Sequence, residues 1–417
     1  MVLQNTVDFV YNDITTKGVC HMDIRRLALW EGRYATYMSN DTFSAVIEDQ
    51  GEVAVELSTK LGNGARISPL ALPYFRGTGS GVFSDENRSW WDSRQGLYQA
   101  GGAYFSFPEN NEDIVTASNT YWMLRRYGTE DDHNGVWKYS EMKSREEGNR
   151  YHLGRIDLLL PGHNMLYTAI KITNTGDAEL RANPAWYSML SSPLVESGAM
   201  IGTDARFFAV YPLKRRESGR NRFDSGKVFD ELRKAPLASG GFADASVVPN
   251  TPTGTYDFII GKLSHESSAN WITVINPRSQ LVYITFSPKA INDDEYEFPN
   301  AAIGENYYGR MDAPWALFDG ATPIVQSLTV GFNAGPKGTK NLAIAPGKSK
   351  TIFVANGFYS YENPRIGMGF YSNEITPEGF YLKRTKSYAY LPADTGFKTL
   401  RRISKRIFFL GSDYRNS

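Results

Sequence analysis

One cysteine, Cys20, stands in 417 residues. That excludes an internal disulfide and a cysteine-based zinc site within one chain. Net charge is absent too, because Lys+Arg and Asp+Glu both total 45. No global basic field therefore invites nucleic acid. No apolar run reaches the length of a transmembrane helix. Near the N-terminus, Asp8, Asn12, Asp13 and Lys17 interrupt the apolar residues, so no secretory core forms there. Together these absences set the expectation of a soluble cytoplasmic protein with no membrane partner. Histidine is scarce, at five, which limits the supply of groups that titrate near neutrality. No Gly-Lys-Ser/Thr follows Gly77-Thr78-Gly79-Ser80-Gly81, so that stretch reads as a rim loop and not as a phosphate loop. There is no internal repeat of solenoid or propeller period.

Aromatic residues are plentiful: 25 Tyr, 23 Phe and 8 Trp, within a hydrophobic content of 41%. That composition suits both packed sheets and sugar-facing grooves. The richest stretch is Leu166 to Pro193. Leu166, Thr168, Ile170 and Ile172 alternate with Tyr167, Ala169 and Lys171, a period of two that predicts a strand with one buried face. Asn174-Thr175-Gly176-Asp177 supplies a turn, and Pro184-Ala185-Trp186-Tyr187-Ser188 follows it. Another hairpin is predicted where Ala45-Val46-Ile47 leads through Gly51 into Val53, Val55 and Leu57. Further strands are expected at 271–275, 281–286, 324–330 and 350–356. Loops are expected at 216–226 and 235–255. One helix is predicted at the C-terminus, capped by Asp394 or Thr395, striped by Phe397, Leu400, Ile403 and Ile407, and ended by Gly411.

In this order the elements resemble the galactose mutarotase-like (aldose 1-epimerase) superfamily. The resemblance rests on the 43–57 hairpin, the proline-containing segment Ile67–Gly79, the "N-T-G" hairpin, a late acidic segment and the Ala345-Pro346-Gly347-Lys348 turn before a late strand. It covers residues 43–360. It implies an all-β fold, an antiparallel β super-sandwich with a sugar-sized cleft and a C-terminal helical extension over 361–417. Residues 1–42 remain an unassigned N-terminal segment.

The resemblance also implies a chemistry. Mutarotation opens and recloses a pyranose ring, with a general base at the anomeric hydroxyl and a general acid at the ring oxygen. No metal and no organic cofactor is needed. In the family the base is a glutamate late in the chain, near a proline; here the matching carboxylate is Asp312, two residues before Pro314. A shorter acid displaces the carboxylate by one methylene, and misplacement of about 1 Å costs about 100-fold in rate. A loop aspartate paired with Arg310 is the competing reading. The family's acid is a histidine on the segment after the "N-T-G" turn, where this chain has Tyr187. A phenol with an ordinary pKa near about 10 needs help to serve as acid. The acid is therefore Tyr187 or an unassigned histidine. His163, in Pro161-Gly162-His163-Asn164, reads as a solvated turn residue, and His152 as a structural one.

Sugar binding needs aromatic faces and directional polar groups. Trp90, Trp91, Trp186 and Trp315 offer the first, and Arg76, Gln99, Asn183 and Arg310 the second. For any single tryptophan, core packing is the commoner role. Lys214-Arg215-Arg216 with Arg220 and Arg222 reads as a solvated loop or an anion site. Lys398, Arg401, Arg402, Lys405 and Arg406 oppose the apolar stripe of the helix, which is expected to dock on the β body with its basic face in water. Three functions stand open: a sugar anomer or epimer isomerase acting on a small-molecule carbohydrate, a non-catalytic carbohydrate-binding relative, and a structural or interaction protein on the same shell. The oligomeric state is not readable.

Overall fold

The structure is a computed structural model, and it describes residues 22–28, 34–61, 63–71, 74–76, 97–99, 101–108, 117–130, 135–142, 150–212, 221–266, 269–308, 326–335, 342–360, 372–376, 379–383, 388–392 and 394–413. Two antiparallel sheets carry most of these residues. The large sheet has twelve strands. Its main path runs Asp23–Ala28, Tyr34–Ser39, Phe43–Glu48, Val53–Lys60, Gly102–Ser106, Ala185–Leu190, Gln326–Asn333, Asn300–Tyr307, Thr255–Lys262, Arg206–Val210 and Val228–Phe229. The second sheet has eight strands, in the order Met200–Thr203, Ala269–Asn276, Leu281–Pro288, Ser349–Ser360, Met165–Asn174, Tyr151–Leu159, Gly135–Met142 and Trp122–Glu130. The expected β architecture and late strands are present. Strands from residues 23–39 continue the large sheet beyond the 43–57 hairpin, whose bend Gly51 makes at φ 76°.

The "N-T-G" segment is not a hairpin. Met165–Asn174 belongs to the second sheet and Ala185–Leu190 to the large one, so the turn carries the chain across the sandwich. Asn174 shapes the crossing: its Oδ1 accepts from the Gly176 amide at 2.9 Å, and its Nδ2 donates to the carbonyls of Ala178 and Ile344. Leu180–Ala182, between the two, pairs with Leu342–Ile344. Pattern alone cannot separate the two connections, because both need strand, turn and strand.

Both faces of Met165–Asn174 are buried, not one. Leu166, Ile170 and Ile172 enter the core between the sheets, where they join Trp186, Leu190, Leu328 and Val330. Tyr167 and Ala169 point the other way and meet Phe397, Leu400, Ile403 and Ile407 of the helix Asp394–Asp413. The helix thus makes a third layer on the second sheet, as its apolar stripe predicts. Arg401 fixes the docking with two hydrogen bonds to the Glu295 carboxylate, at 2.9 and 3.0 Å, and Arg402 pairs with Glu130. The helix runs two residues past Gly411, since nothing there forces a left-handed turn.

Candidate functional site

The helix lies on the second sheet, and the outer face of the large sheet carries a small cluster of its own, the buried Ala185, Tyr187 and Ala302. Alternation along Ala185–Leu190 sends Trp186 and Leu190 into the core, and sends Ala185 and Tyr187 outward. Tyr187 stands beside Tyr104, its cross-strand partner, with ring centroids 5.9 Å apart at 58°. Phe258 closes the other side at 6.2 Å and 74°. Both are tilted geometries that aromatic pairs favour. Asn333 Nδ2 donates to the Tyr187 hydroxyl at 3.3 Å. The Asn333 Oδ1 accepts from the Gly335 amide at 3.1 Å, which fixes the orientation of the side chain. An aromatic wall with an oriented amide and phenol at its centre is the equipment for holding a small polyhydroxylated molecule.

Tyr187, a candidate acid in the sequence reading, thus lies on this outer face. Trp186 faces the opposite way: it is fully buried, and its Nε1 donates to Asn356 Oδ1 at 3.1 Å across the sandwich. Asn183 is buried just ahead of the strand, and its Oδ1 accepts no hydrogen bond among the described residues. Arg76 and Gln99 lie on two short strands that pair with each other, Tyr74–Arg76 and Leu97–Gln99. Trp90, Trp91, Arg310, Asp312 and Trp315 lie outside the described residues. Among the described histidines, His163 is half-buried after the Pro161-Gly162 turn, and its Nδ1 meets the hydroxyl of Tyr167, whose ring packs on Phe397 of the helix, at 2.8 Å. His152 Nε2 sits 3.9 Å from Glu141 on the second sheet, and His265 is exposed in a loop. None belongs to the Tyr187 strand or its neighbours. Asn333 is the residue that motif reading passes over. Its signal is a late strand ending near a proline, Asn333-Ala334-Gly335-Pro336, which a search for carboxylates skips.

A second polar cluster lies on the inner face of the same sheet. Asp257 and Glu305 are cross-strand partners, and both are buried. Asp257 accepts from the amides of Arg222 and Phe223 and from Asn221 Nδ2, at 3.0 to 3.2 Å. Glu305 lacks such a cradle, and its Oε1 is buried without a partner among the described residues. Burial, reinforced by the charge of Asp257, pushes the Glu305 carboxyl well above the usual carboxylate range against the pull of Arg222. Burial also raises Asp257, in spite of its hydrogen bonds. Folded protein therefore holds protons here that the unfolded chain releases. The linked stability is complete below the unfolded carboxylate values near about 4 and is lost as pH rises toward the folded ones. Glu305→Gln keeps the shape and removes the titration. Its melting temperature should gain on wild type steadily from pH 4 to pH 8; parallel curves would show that Glu305 ionises as freely folded as unfolded.

Among the described residues, no group of three or more His, Cys, Asp or Glu is placed to hold a metal ion. No described helix is long and apolar enough to cross a membrane.

No family model matches the sequence, and no curated protein resembles it by sequence. Solved structures do match. A candidate aldose 1-epimerase from Klebsiella pneumoniae superposes with a TM-score of 0.53 at 11% identity, over 81% of this chain and 84% of its own. A galactose mutarotase-like protein from Clostridium acetobutylicum gives 0.51 at 11% identity, over 82% and 99%. A candidate mutarotase from Salmonella typhimurium gives 0.50 at 11% identity, over 84% and 97%. The fold is the one these galactose mutarotase-like proteins share.

Proposed function

We propose that this chain is a carbohydrate-acting protein that holds a sugar on the outer face of its large sheet, against Tyr104, Tyr187 and Phe258. The observation that carries the reading is the Asn333–Tyr187 hydrogen bond inside that aromatic wall. The amide gives the phenol oxygen a donor and so turns the phenol O–H away from Asn333. The fold shared with proteins described as aldose 1-epimerases supports a sugar as the ligand, although fold alone does not carry an activity.

The reaction matching this arrangement is interconversion of anomers or epimers by ring opening. Tyr187 would protonate the ring oxygen while Asp312 takes the anomeric proton. No metal or organic cofactor enters that step. A second reading, binding without turnover, is favoured by the identity of the Tyr187 partner: an amide neither takes nor supplies a proton at neutral pH. Exchange NMR of aldoses and uronic acids separates the two. Isomerase action predicts protein-dependent anomeric exchange that Tyr187→Phe slows by about 100-fold or more and that Asp312→Asn abolishes. Saturation transfer to a sugar without exchange establishes the binding reading. Silence in both, across the panel, removes sugar from the account of this face.

A further inference from the structure

The outer face of the large sheet continues well past Tyr187. Cross-strand pairing runs from Tyr187 through Gly331, Ala302, Ile260 and Ala209 to Val228 at the sheet edge. Apart from Ile260, nothing between Tyr187 and the edge strand is larger than alanine, so the floor is flat and apolar. Two residues along three of the strands, and three along the Arg206 strand where the bulge at Phe207 adds one, a polar row runs parallel to it. That row is Asn333, Asn300, Lys262 and Arg206. Exposure rises in the same direction. Tyr187 and Ala302 are buried, Ile260 and Ala209 half-buried, and Lys262 and Arg206 exposed.

Two features of the open end are unfavourable for the folded chain by itself. Arg206 and Lys262 are directly opposed across strands, and neither forms an ion pair among the described residues. Like charges in that position repel. Next to Arg206, the ladder bulges at Phe207, which sits at φ 56° with 59% of its surface exposed. A bulky residue in the left-handed region is strained, and here the strain holds an aromatic ring in water, where it contributes little to packing. A ligand with an anionic group and a flat apolar face answers both. Four strand spacings separate Tyr187 from the Arg206 strand, roughly 19 Å at about 4.8 Å each. That exceeds one pyranose and suits a short chain of them.

We propose that this face is a track for an acidic oligosaccharide. Its terminal unit sits beside Tyr187 against the half-buried Tyr104 and Phe258, and the following units cross Ile260 and Ala209. At the sheet edge a uronate carboxylate meets Arg206 and Lys262, and Phe207 stacks on a ring. The proposal rests on the sugar reading of the Tyr187 face and extends it to a substrate class.

Titration calorimetry with oligogalacturonates and oligomannuronates of one to six units, beside neutral maltooligosaccharides, tests it. Affinity for at least one uronate series should rise about 10-fold or more between one and four units, the scale of one aromatic contact plus one charge contact. Added salt should weaken that gain. Phe207→Gly suits the left-handed backbone, so it keeps the fold; it should remove most of the gain and leave the affinity for the single unit as it was. Arg206→Ser with Lys262→Ser should erase the preference for uronates over neutral chains. Binding of single sugars without length dependence would overturn the track and leave the Tyr187 site standing. Equal gains for neutral and acidic chains would overturn the acidic class. Failure to bind any sugar would overturn both.

Discussion

Lys138→Met should lose about 3–5 kcal/mol of folding free energy, the cost of removing one partner from a buried ion pair. Lys138 is 1% exposed and lies between the two sheets. Its ammonium pairs with Glu52, bonds to Ser140 Oγ at 3.2 Å and stands 3.5 Å from Asp157. Arg155 completes the cluster, pairing with Asp157 at 2.8 Å and donating to the Glu52 carbonyl, with its guanidinium 5.3 Å from the Trp186 ring. Two cations and two carboxylates cancel, so the cluster is a neutral island in an apolar layer. Without Lys138 two carboxylates share one guanidinium in a medium that solvates neither well. Urea unfolding should show a lower midpoint at unchanged slope. Adding Glu52→Gln should recover more than half of the loss, because neutralising both members removes the stranded charge. A single variant within about 1 kcal/mol of wild type would mean that water reaches the cluster and screens it.

Gly331→Ala should cost about 3 kcal/mol or more, at the upper end of overpacking effects. Gly331 pairs with Tyr187 in the middle of the large sheet, and a Cβ there would overlap the carbonyl oxygen of Trp186. The obstacle is backbone, which cannot rotate away as a side chain can. Parting the two strands would also stretch the bond from Asn333 to Tyr187, two residues along the ladder. The variant should therefore lose ligand saturation transfer together with stability. A melting curve matching wild type would show that this strand pair opens locally to admit a methyl group.

Much of the architecture is legible in the sequence because strands announce themselves through local alternation. Ala269–Asn276, Leu281–Pro288 and the helix lie close to where the pattern puts them. What alternation cannot reveal is which layer covers a strand's second face. Tyr167 and Ala169 read as solvent-facing until the helix, far away in sequence, is laid over them. Arg155 and Asp157 mislead in the opposite sense, since charged residues inside a strand suggest water and here are fully buried. The site is less legible still. Tyr187 can be placed by its position after the "N-T-G" turn, but Tyr104 and Asn333 reach it only through sheet register, which no local pattern encodes. Asp312, Trp90, Trp91 and Trp315 lie outside the described residues and remain proposals.

The strand order has a consequence for how the chain is made. Ser349–Ser360 enters the second sheet between Met165–Asn174 and Leu281–Pro288. Gln326–Asn333 does the same in the large sheet, between Ala185–Leu190 and Asn300–Tyr307. On the ribosome, both sheets stay as separated halves with open edges until these late strands emerge. Open edges recruit other chains, and long-range pairing is slow to form. A chain that ends before Ser349 would therefore keep its second sheet in two halves with open edges, and such a product would be prone to aggregate.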